Sequence, residues 1–143
     1  MTQVMNFAEM QAFLNEQFPQ GEQWGVLEQL GDGWAEMRLP VSDLHLRPGG
    51  TVSGPAMMGL ADIAMYAALL SQIGPVALAV TINLNINFLR KPKADGDILA
   101  RAELLKVGKR LAVGEVYINS RGEDDPVAHV TMTYSIPEEK HGR

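Results

Sequence analysis

An apolar stretch in the middle of the chain, Gly54 to Ile73, constrains the fold most, because Asp62 is its only charged residue. A helix of this length could cross a membrane. However, a charge near the middle of a span costs about 2.5–3.5 kcal/mol, and the flanks lack the aromatic and basic anchors of membrane spans. The alternative is a helix that is buried on all sides inside a protein core. We favour the buried helix and expect no membrane contact.

Composition narrows the class of protein further. The chain has 143 residues, one domain's worth, and its 46% hydrophobic and 20% charged residues are typical of globular rather than disordered proteins. The net charge of −5 gives no general attraction to nucleic acid. There is no Cys, and the three His residues (His45, His129 and His141) are far apart, so we expect no disulfide, metal or cofactor. Residues 1–6 do not resemble a signal peptide, which favours a cytoplasmic location.

The remaining pattern predicts one further helix and six strands. An amphipathic helix is predicted at 6–18, and strands at 24–30, 34–41, 76–89, 97–107, 110–120 and 126–136. A charged, mobile tail is expected at 137–143. A sheet of consecutive antiparallel strands must cover its apolar face, and only the 54–73 helix is apolar all round. The sequence therefore predicts an α+β fold in one domain, 1–143, with a curved antiparallel sheet wrapped around a long central helix.

Two features at the central helix are candidates for chemistry. Asp62 can point to solvent at one edge, bridge structure from a buried position, or line a cleft and react. The segment 47–55 (RPGGTVSGP) places backbone N–H groups at the helix start, where an anion or a developing oxyanion could bind, although its glycines could equally serve only a turn. Asp62 and Gly54 are more than about 10 Å apart along one helix, too far to touch the same atom. Two antiparallel helices across a twofold axis would bring them together, which suggests a dimer with shared sites.

The strand that follows the helix carries a third candidate. From Thr81 to Phe88 the sequence alternates strictly, so Thr81, Asn83 and the next two Asn residues are expected on one face and the apolar residues on the other. Three Asn on one strand face are unusual, although a solvated outer face would explain them. Thr81, at the start of the strand, is the residue that we expect nearest to a site. Arg90 belongs to a basic cluster after the strand, which is either a solvated turn or a contact for a phosphate-bearing ligand.

Three other residues are weaker candidates. Tyr66 lies one turn beyond Asp62 on the helix, where it could hydrogen-bond to the carboxylate or only pack. Met58 and the neighbouring Met residues could line an adaptable apolar pocket, and core packing explains them equally well. His45, in the loop before the helix, is expected at the surface.

The segments GGTVSGPAMMGLAD (49–62) and TINLNINFLRKP (81–92) resemble the signature of hot-dog acyl-CoA thioesterases of the PaaI-like, phenylacetate-pathway group. The order and lengths of the predicted elements also resemble the hot-dog fold. The resemblance implies that Asp62 is the catalytic carboxylate, as general base or nucleophile. It implies that the Gly54 N–H polarises the thioester carbonyl and that Thr81 helps to hold the attacking water. It also implies sites that form between two subunits.

The chain departs from the family pattern at three positions. Ser53 stands where the family has His, Pro55 replaces the second Gly, and Arg47 stands where the family has Asn. We predict a homodimer, or a homotetramer, that hydrolyses an acyl- or aryl-CoA thioester to free acid and CoA without a metal or redox cofactor. The alternatives are a non-catalytic acyl-CoA-binding protein, an acyl-thioester dehydratase or hydratase, and a purely structural oligomer. The candidate substrate-binding residues are Ser53, Arg47, Pro55, Met58, Tyr66, Asn83 and Arg90.

Overall fold

The computed structural model of the chain describes residues 2–93 and 96–138, and most of the predicted tail, 139–143, lies outside the described residues. The helices and strands follow in the predicted order. They are α1 (Phe7–Gln17), β1 (Val26–Gly31), β2 (Trp34–Leu39), α2 (Gly54–Ile73), β3 (Val80–Phe88), β4 (Ile98–Val107), β5 (Leu111–Ser120) and β6 (Ala128–Ser135), with short 3₁₀ helices at Pro19–Gln23 and Asp43–His45. Both predicted helices and all six predicted strands are therefore confirmed; α2 has the predicted ends, and the other elements differ only in theirs.

The six strands form one antiparallel sheet in the order β1-β2-β4-β5-β6-β3. Within the described part of the chain, β3 is an edge strand that pairs only with β6. Its outer side therefore offers backbone N–H and C=O groups that no other strand of this sheet takes up. The strand and the residue after it also expose large apolar side chains, namely Val80, Ile82, Phe88 and Leu89. This edge is suited to pairing with another strand.

The helix α2 lies against the inner face of the sheet. Ser53 caps its start, since the Ala56 N–H donates to the Ser53 Oγ at 3.2 Å, and Gly74 ends it with a positive φ of +90°. Among the described residues α2 is the one helix long and apolar enough to cross a membrane, and most of it is buried inside the protein. The apolar stretch is therefore the core helix of the hot-dog fold, as predicted.

Small residues allow α2 to lie close to the sheet. The inner face of the sheet carries fully buried alanines, namely Ala35, Ala100, Ala102, Ala112 and Ala128. A Cβ on Gly114 of β5 would lie only 2.5 Å from the Met65 Sδ of α2. Larger side chains at these positions would push the helix away from the sheet. The distance between α2 and the sheet is thus set by side-chain size, and it decides which residues of α2 reach the neighbouring strands.

The strand β3 starts later than predicted. The sequence predicts a strand from Val76, but the structure begins β3 at Val80. Residues 76–79 form a turn instead, in which the Ala79 N–H donates to the Val76 carbonyl oxygen at 3.2 Å. The apolar residues in this turn are thus not part of the sheet.

The predicted alternation of β3 is also wrong at one residue. Thr81 pairs with Tyr134, and Asn83 pairs with the residue before Tyr134, so that Ile82 is an extra residue in a β-bulge. A bulge shifts the side-chain alternation by one residue. Thr81 therefore shares the inner face with Leu84, whereas Asn83 lies on the outer face and Ile82 is exposed.

The helix α1 packs beside the middle of α2. It begins with a capping box, in which the Asn6 side chain accepts from the Glu9 N–H and the Glu9 side chain accepts from the Asn6 N–H. The ring centroids of Phe13 and Phe18, at the end of α1, lie 6.4 Å and 6.2 Å from the ring centroid of Tyr66 in α2. The end of α1 is therefore one wall of the space beside α2.

Candidate active site

The Asp62 carboxylate lies in the middle of α2 and receives two hydroxyl hydrogen bonds. The Thr81 hydroxyl donates to its Oδ1 oxygen, and the Tyr134 hydroxyl donates to the same oxygen at 2.8 Å. Both side chains come from the inner face of the sheet, and the Ile82 bulge is what brings Thr81 to that face. The described part of the chain shows no salt bridge to Asp62. Neutral hydroxyls, not cations, therefore hold this carboxylate.

Tyr134 is a residue of this site that the sequence analysis missed. Its side chain is buried, and its hydroxyl oxygen also lies 3.0 Å from the Asp62 carbonyl oxygen. Burial first, and then the negative charge of Asp62, raise the pKa of Tyr134 well above its usual value, so the phenol stays protonated and donates. The sequence nevertheless indicated that Tyr134 needs a polar partner. The inward positions of β6 are otherwise apolar, and a buried Tyr hydroxyl requires such a partner.

A cavity of about 350 Å³ opens beside Asp62. Apart from Asp62, Thr81 and the tyrosine hydroxyls, Gln17 is its one polar side chain among the described residues. The residues that line it are Gln17, Phe18, Asp62, Ile63, Tyr66, Ala77, Ala79, Val80, Thr81 and Tyr134. Tyr66 lies in this wall, and its hydroxyl donates to the Ala77 carbonyl oxygen at 3.0 Å and not to Asp62. The cavity suits an uncharged apolar group with its reacting atom at the carboxylate.

The other end of α2 presents the backbone N–H of Gly54. As the first residue of α2, Gly54 has no intrahelical acceptor, and its N–H donates to no acceptor in the described part of the chain. A Cβ at this position would lie 3.2 Å from the Phe88 ring, so glycine leaves room for that ring at the helix start. Gly54 lines a second cavity of about 470 Å³, together with three basic residues, Arg47, Arg90 and Lys91. This end of the helix offers a hydrogen-bond donor and positive charge.

The two cavities share none of the described residues. The Asp62 cavity lies at the start of β3, beside Thr81, and the Gly54 cavity lies at its end, beside Phe88. Six of the predicted site residues thus fall into two groups on one chain: Asp62, Thr81 and Tyr66 in the first cavity, and Gly54, Arg47 and Arg90 in the second.

Four predicted substrate-binding residues line neither cavity. Ser53 caps α2, and Pro55 and Met58 lie on exposed parts of α2 outside both cavities. Asn83 lies on the outer face of the sheet, where its Oδ1 accepts from the Asn85 side chain at 2.8 Å. Asn83 lies outside the Asp62 cavity because the bulge at Ile82 places it on the opposite face of the sheet from Thr81.

His45 is buried, whereas the sequence analysis expected it at the surface. Its Nδ1 accepts from the Ser42 N–H at 3.1 Å, and its Nε2 is 2.7 Å from the Gln23 carbonyl oxygen. Since a carbonyl only accepts, Nε2 carries the proton and donates. Both ring nitrogens are thus used to fix the loop before α2, and His45 lines neither cavity.

The chain is similar to several known proteins. Residues 49–127, more than half of the chain, match the family described as the thioesterase superfamily. A candidate thioesterase from Silicibacter sp. TM1040 is 48% identical with a TM-score of 0.88, over 96% of this chain and 95% of that chain. A mutant of the phenylacetic acid degradation protein PaaI from Thermus thermophilus is 29% identical with a TM-score of 0.72, over 83% of this chain and 99% of that chain.

Two curated relatives are named as candidate esterases. The protein from Thermoplasma acidophilum is 29% identical over 87 residues, and the one from Halobacterium salinarum is 34% identical over 97 residues. These matches cover 61% and 64% of this chain, and the chain spans only 64% and 63% of the relatives' own length. The match to the Silicibacter structure covers more of this chain, 96%. The chain therefore belongs to the thioesterase superfamily, with the hot-dog fold and with PaaI-like proteins among its structural neighbours.

Proposed function

We propose that the protein is an acyl-CoA thioesterase, which hydrolyses an acyl- or aryl-CoA thioester to the free acid and CoA. The observation that carries this proposal is the Asp62 carboxylate, which lies at an apolar cavity and is oriented by two hydroxyl donors. An oriented carboxylate can remove a proton from water beside a bound thioester. Membership of the thioesterase superfamily supports the same reaction class. A cytoplasmic location, expected from the sequence, is part of this proposal.

The reaction needs only groups of the chain and water. The Asp62 carboxylate takes a proton from water, and the water oxygen forms a bond to the thioester carbon. The carbonyl electron pair moves to oxygen, and the N–H of the partner subunit's Gly54 donates to the resulting oxyanion. When the tetrahedral intermediate collapses, the C–S bond breaks, CoA leaves as the thiolate, and the proton on Asp62 passes to the thiolate. The net change is thioester plus water to carboxylic acid plus thiol.

The basic residues of the second cavity support CoA as the carrier. Arg47, Arg90 and Lys91 line the cavity that holds Gly54, and a CoA thioester carries phosphates at a distance from its reacting carbon. Arg and Lys side chains form charge-assisted hydrogen bonds to phosphate. The Asp62 cavity has no cation among the described residues of its wall, so an uncharged acyl or aryl group fits there. The two cavities therefore match the two ends of an acyl-CoA molecule.

A homodimer completes this site. If β3 pairs antiparallel with β3 of a second copy across a twofold axis, the start of one strand meets the end of the other. The Asp62 cavity of one subunit then lies beside the partner's Gly54 cavity. The edge position of β3 and its exposed apolar side chains support this pairing. Each dimer has two such sites, and neither is complete within one chain.

The direct test is thiol release from a panel of acyl- and aryl-CoA thioesters by the wild-type protein, Asp62→Asn and a control, Asp125→Asn. The amide of Asp62→Asn can still accept from both hydroxyls, so we expect an unchanged melting temperature and a rate lower by about 10²–10⁴-fold. Asp125 lies on an exposed loop, and its variant should keep wild-type activity. No thiol release from any thioester would refute the proposal. If CoA thioesters then still raised the melting temperature, a binding protein would be the better description.

The same panel tests the dehydratase alternative. A hydratase or dehydratase would interconvert enoyl and 3-hydroxyacyl thioesters without releasing thiol. Such chemistry generally pairs a His with a carboxylate, and His45, the residue considered for that role, has both ring nitrogens engaged away from Asp62.

The shared site is tested by mixing two inactive variants. Asp62→Asn retains Gly54, and Gly54→Pro, which has no N–H at that position, retains Asp62. After unfolding and refolding together, random pairing makes half of the dimers mixed, each with one intact site, so about a quarter of wild-type activity should return. Refolding each variant alone should return only its own residual activity, at most about 1% of wild type. If the mixture stayed inactive although mixed dimers formed, each site would have to lie within one chain.

A further inference from the structure

Two hydroxyl groups converge on the same oxygen of Asp62. Thr81 and Tyr134 both donate to Oδ1, and in the described part of the chain no group donates to Oδ2. No buried side-chain oxygen among the described residues lacks a hydrogen-bond partner, so this unpartnered Oδ2 is not buried. The two oxygens of the carboxylate are therefore different: one is held by the protein, and the other is open to the cavity.

We propose that Tyr134 is a positioning residue, which fixes the Asp62 carboxylate so that Oδ2 is the oxygen that meets the reacting water. This inference rests on the proposed thioesterase function. Tyr134 acts through Asp62 and is not itself assigned a contact with substrate.

Tyr134 is the more rigid of the two hydroxyl donors. It is buried and belongs to β6, which is held between β5 and β3, whereas Thr81 is only half-buried and lies next to a bulge. The Tyr134 ring is buried and lies 6.3 Å from the Tyr66 ring, so it cannot turn away without disturbing the core. Its hydroxyl also approaches the Asp62 carbonyl oxygen, which ties it to the backbone of α2. Two donors on one oxygen restrict rotation of the carboxylate about its terminal bond more than one donor does.

The test is Tyr134→Phe, which removes one hydroxyl and keeps the ring in the core. We expect kcat for thiol release to fall by about ten- to a hundredfold, because small displacements of a catalytic group cost that much. KM should stay within about twofold of wild type, because the variant keeps the ring that lines the cavity and loses only the hydroxyl, which is bonded to Asp62. The matched control is Tyr117→Phe on the outer face of the sheet, which is not among the described lining residues of either cavity and should leave kcat and KM unchanged.

A crystal structure of Tyr134→Phe separates positioning from a general structural role. We expect the backbone and β6 to be unchanged and the Asp62 carboxylate to rotate or to occupy more than one orientation. A kcat within about twofold of wild type, or a fixed Asp62 orientation in the variant, would overturn the inference. An inactive wild-type protein would instead refute the proposed function, and the crystal structure would still decide whether Tyr134 orients Asp62.

Discussion

The role of the Gly54 N–H can be tested by a pair of substitutions, one that removes this N–H and one that keeps it. Gly54 is the first residue of α2, the position in a helix at which proline is most common. The preceding Ser53 has φ −73° and ψ 154°, the extended conformation that a residue before proline adopts. Gly54→Pro therefore fits the backbone and deletes the N–H. The control is Gly54→Ala, which brings the same Cβ toward the Phe88 ring, at 3.2 Å, but keeps the N–H.

The expected loss of kcat in Gly54→Pro follows from the removal of a single oxyanion donor. Removal of a single oxyanion donor typically lowers kcat by about 10²–10³-fold, or about 2.7–4 kcal/mol in the transition state. We expect Gly54→Pro to reach this range relative to Gly54→Ala, with similar melting temperatures for both. The assay is continuous thiol release at saturating CoA thioester, so that kcat is measured separately from KM. If the two variants differed by less than about threefold, the Gly54 N–H would not stabilise the oxyanion, and the proposed mechanism would be wrong at this step.

Three other predictions concern binding and stability. Arg47→Gln should raise KM for an acyl-CoA by about tenfold through the loss of one charge-assisted contact, but should leave KM for the same acyl N-acetylcysteamine thioester, which has no phosphate, unchanged. Gly114→Ala should lower the free energy of unfolding by about 1–3 kcal/mol in denaturant melts, since its Cβ would lie 2.5 Å from the Met65 Sδ, and an unchanged midpoint would contradict this. Burial raises the pKa of both Tyr134 and Tyr66 above the ordinary value of 10.0, so their contribution to stability is complete below that pH and declines as the pH rises above it. Unfolding free energies at about pH 8 and about pH 11 should show this decline, and Tyr134→Phe should show less of it.

The sequence predicted the fold from one strong signal. A long helix without a polar face can be stable in water only if other elements surround it, and the strands of the chain alternate between apolar and polar residues. The end points of α2 were predicted correctly because Ser53 and Gly74 are specific cap residues. Asp62 stood out for the same reason, since a single charge in such a helix requires an explanation.

The contacts of Asp62 could not be predicted because they depend on strand pairing. The bulge at Ile82 has no mark in the sequence, which alternates without interruption through this strand. It moves Thr81 to the inner face and leaves Asn83 outside, whereas a prediction based on alternation placed both on the same face. Tyr134 lies 72 residues from Asp62 in sequence, and the two meet only because α2 lies across the inner face of the sheet, while the register of β6 against β3 sets Tyr134 beside Thr81.

The departures from the family pattern have a common consequence at the start of α2. Pro55 has no N–H, and the Ala56 N–H is taken by the Ser53 side chain, so of these three residues Gly54 has the one N–H without an acceptor among the residues that the structure describes. With one donor available for the oxyanion and no His in the family's position, the proposed mechanism depends more heavily on the placement of the base. That base is held in place from two sides, since the Thr81 and Tyr134 hydroxyls from the sheet both donate to a single oxygen of Asp62. On this argument the loss of either hydroxyl should reduce kcat more than it reduces substrate binding.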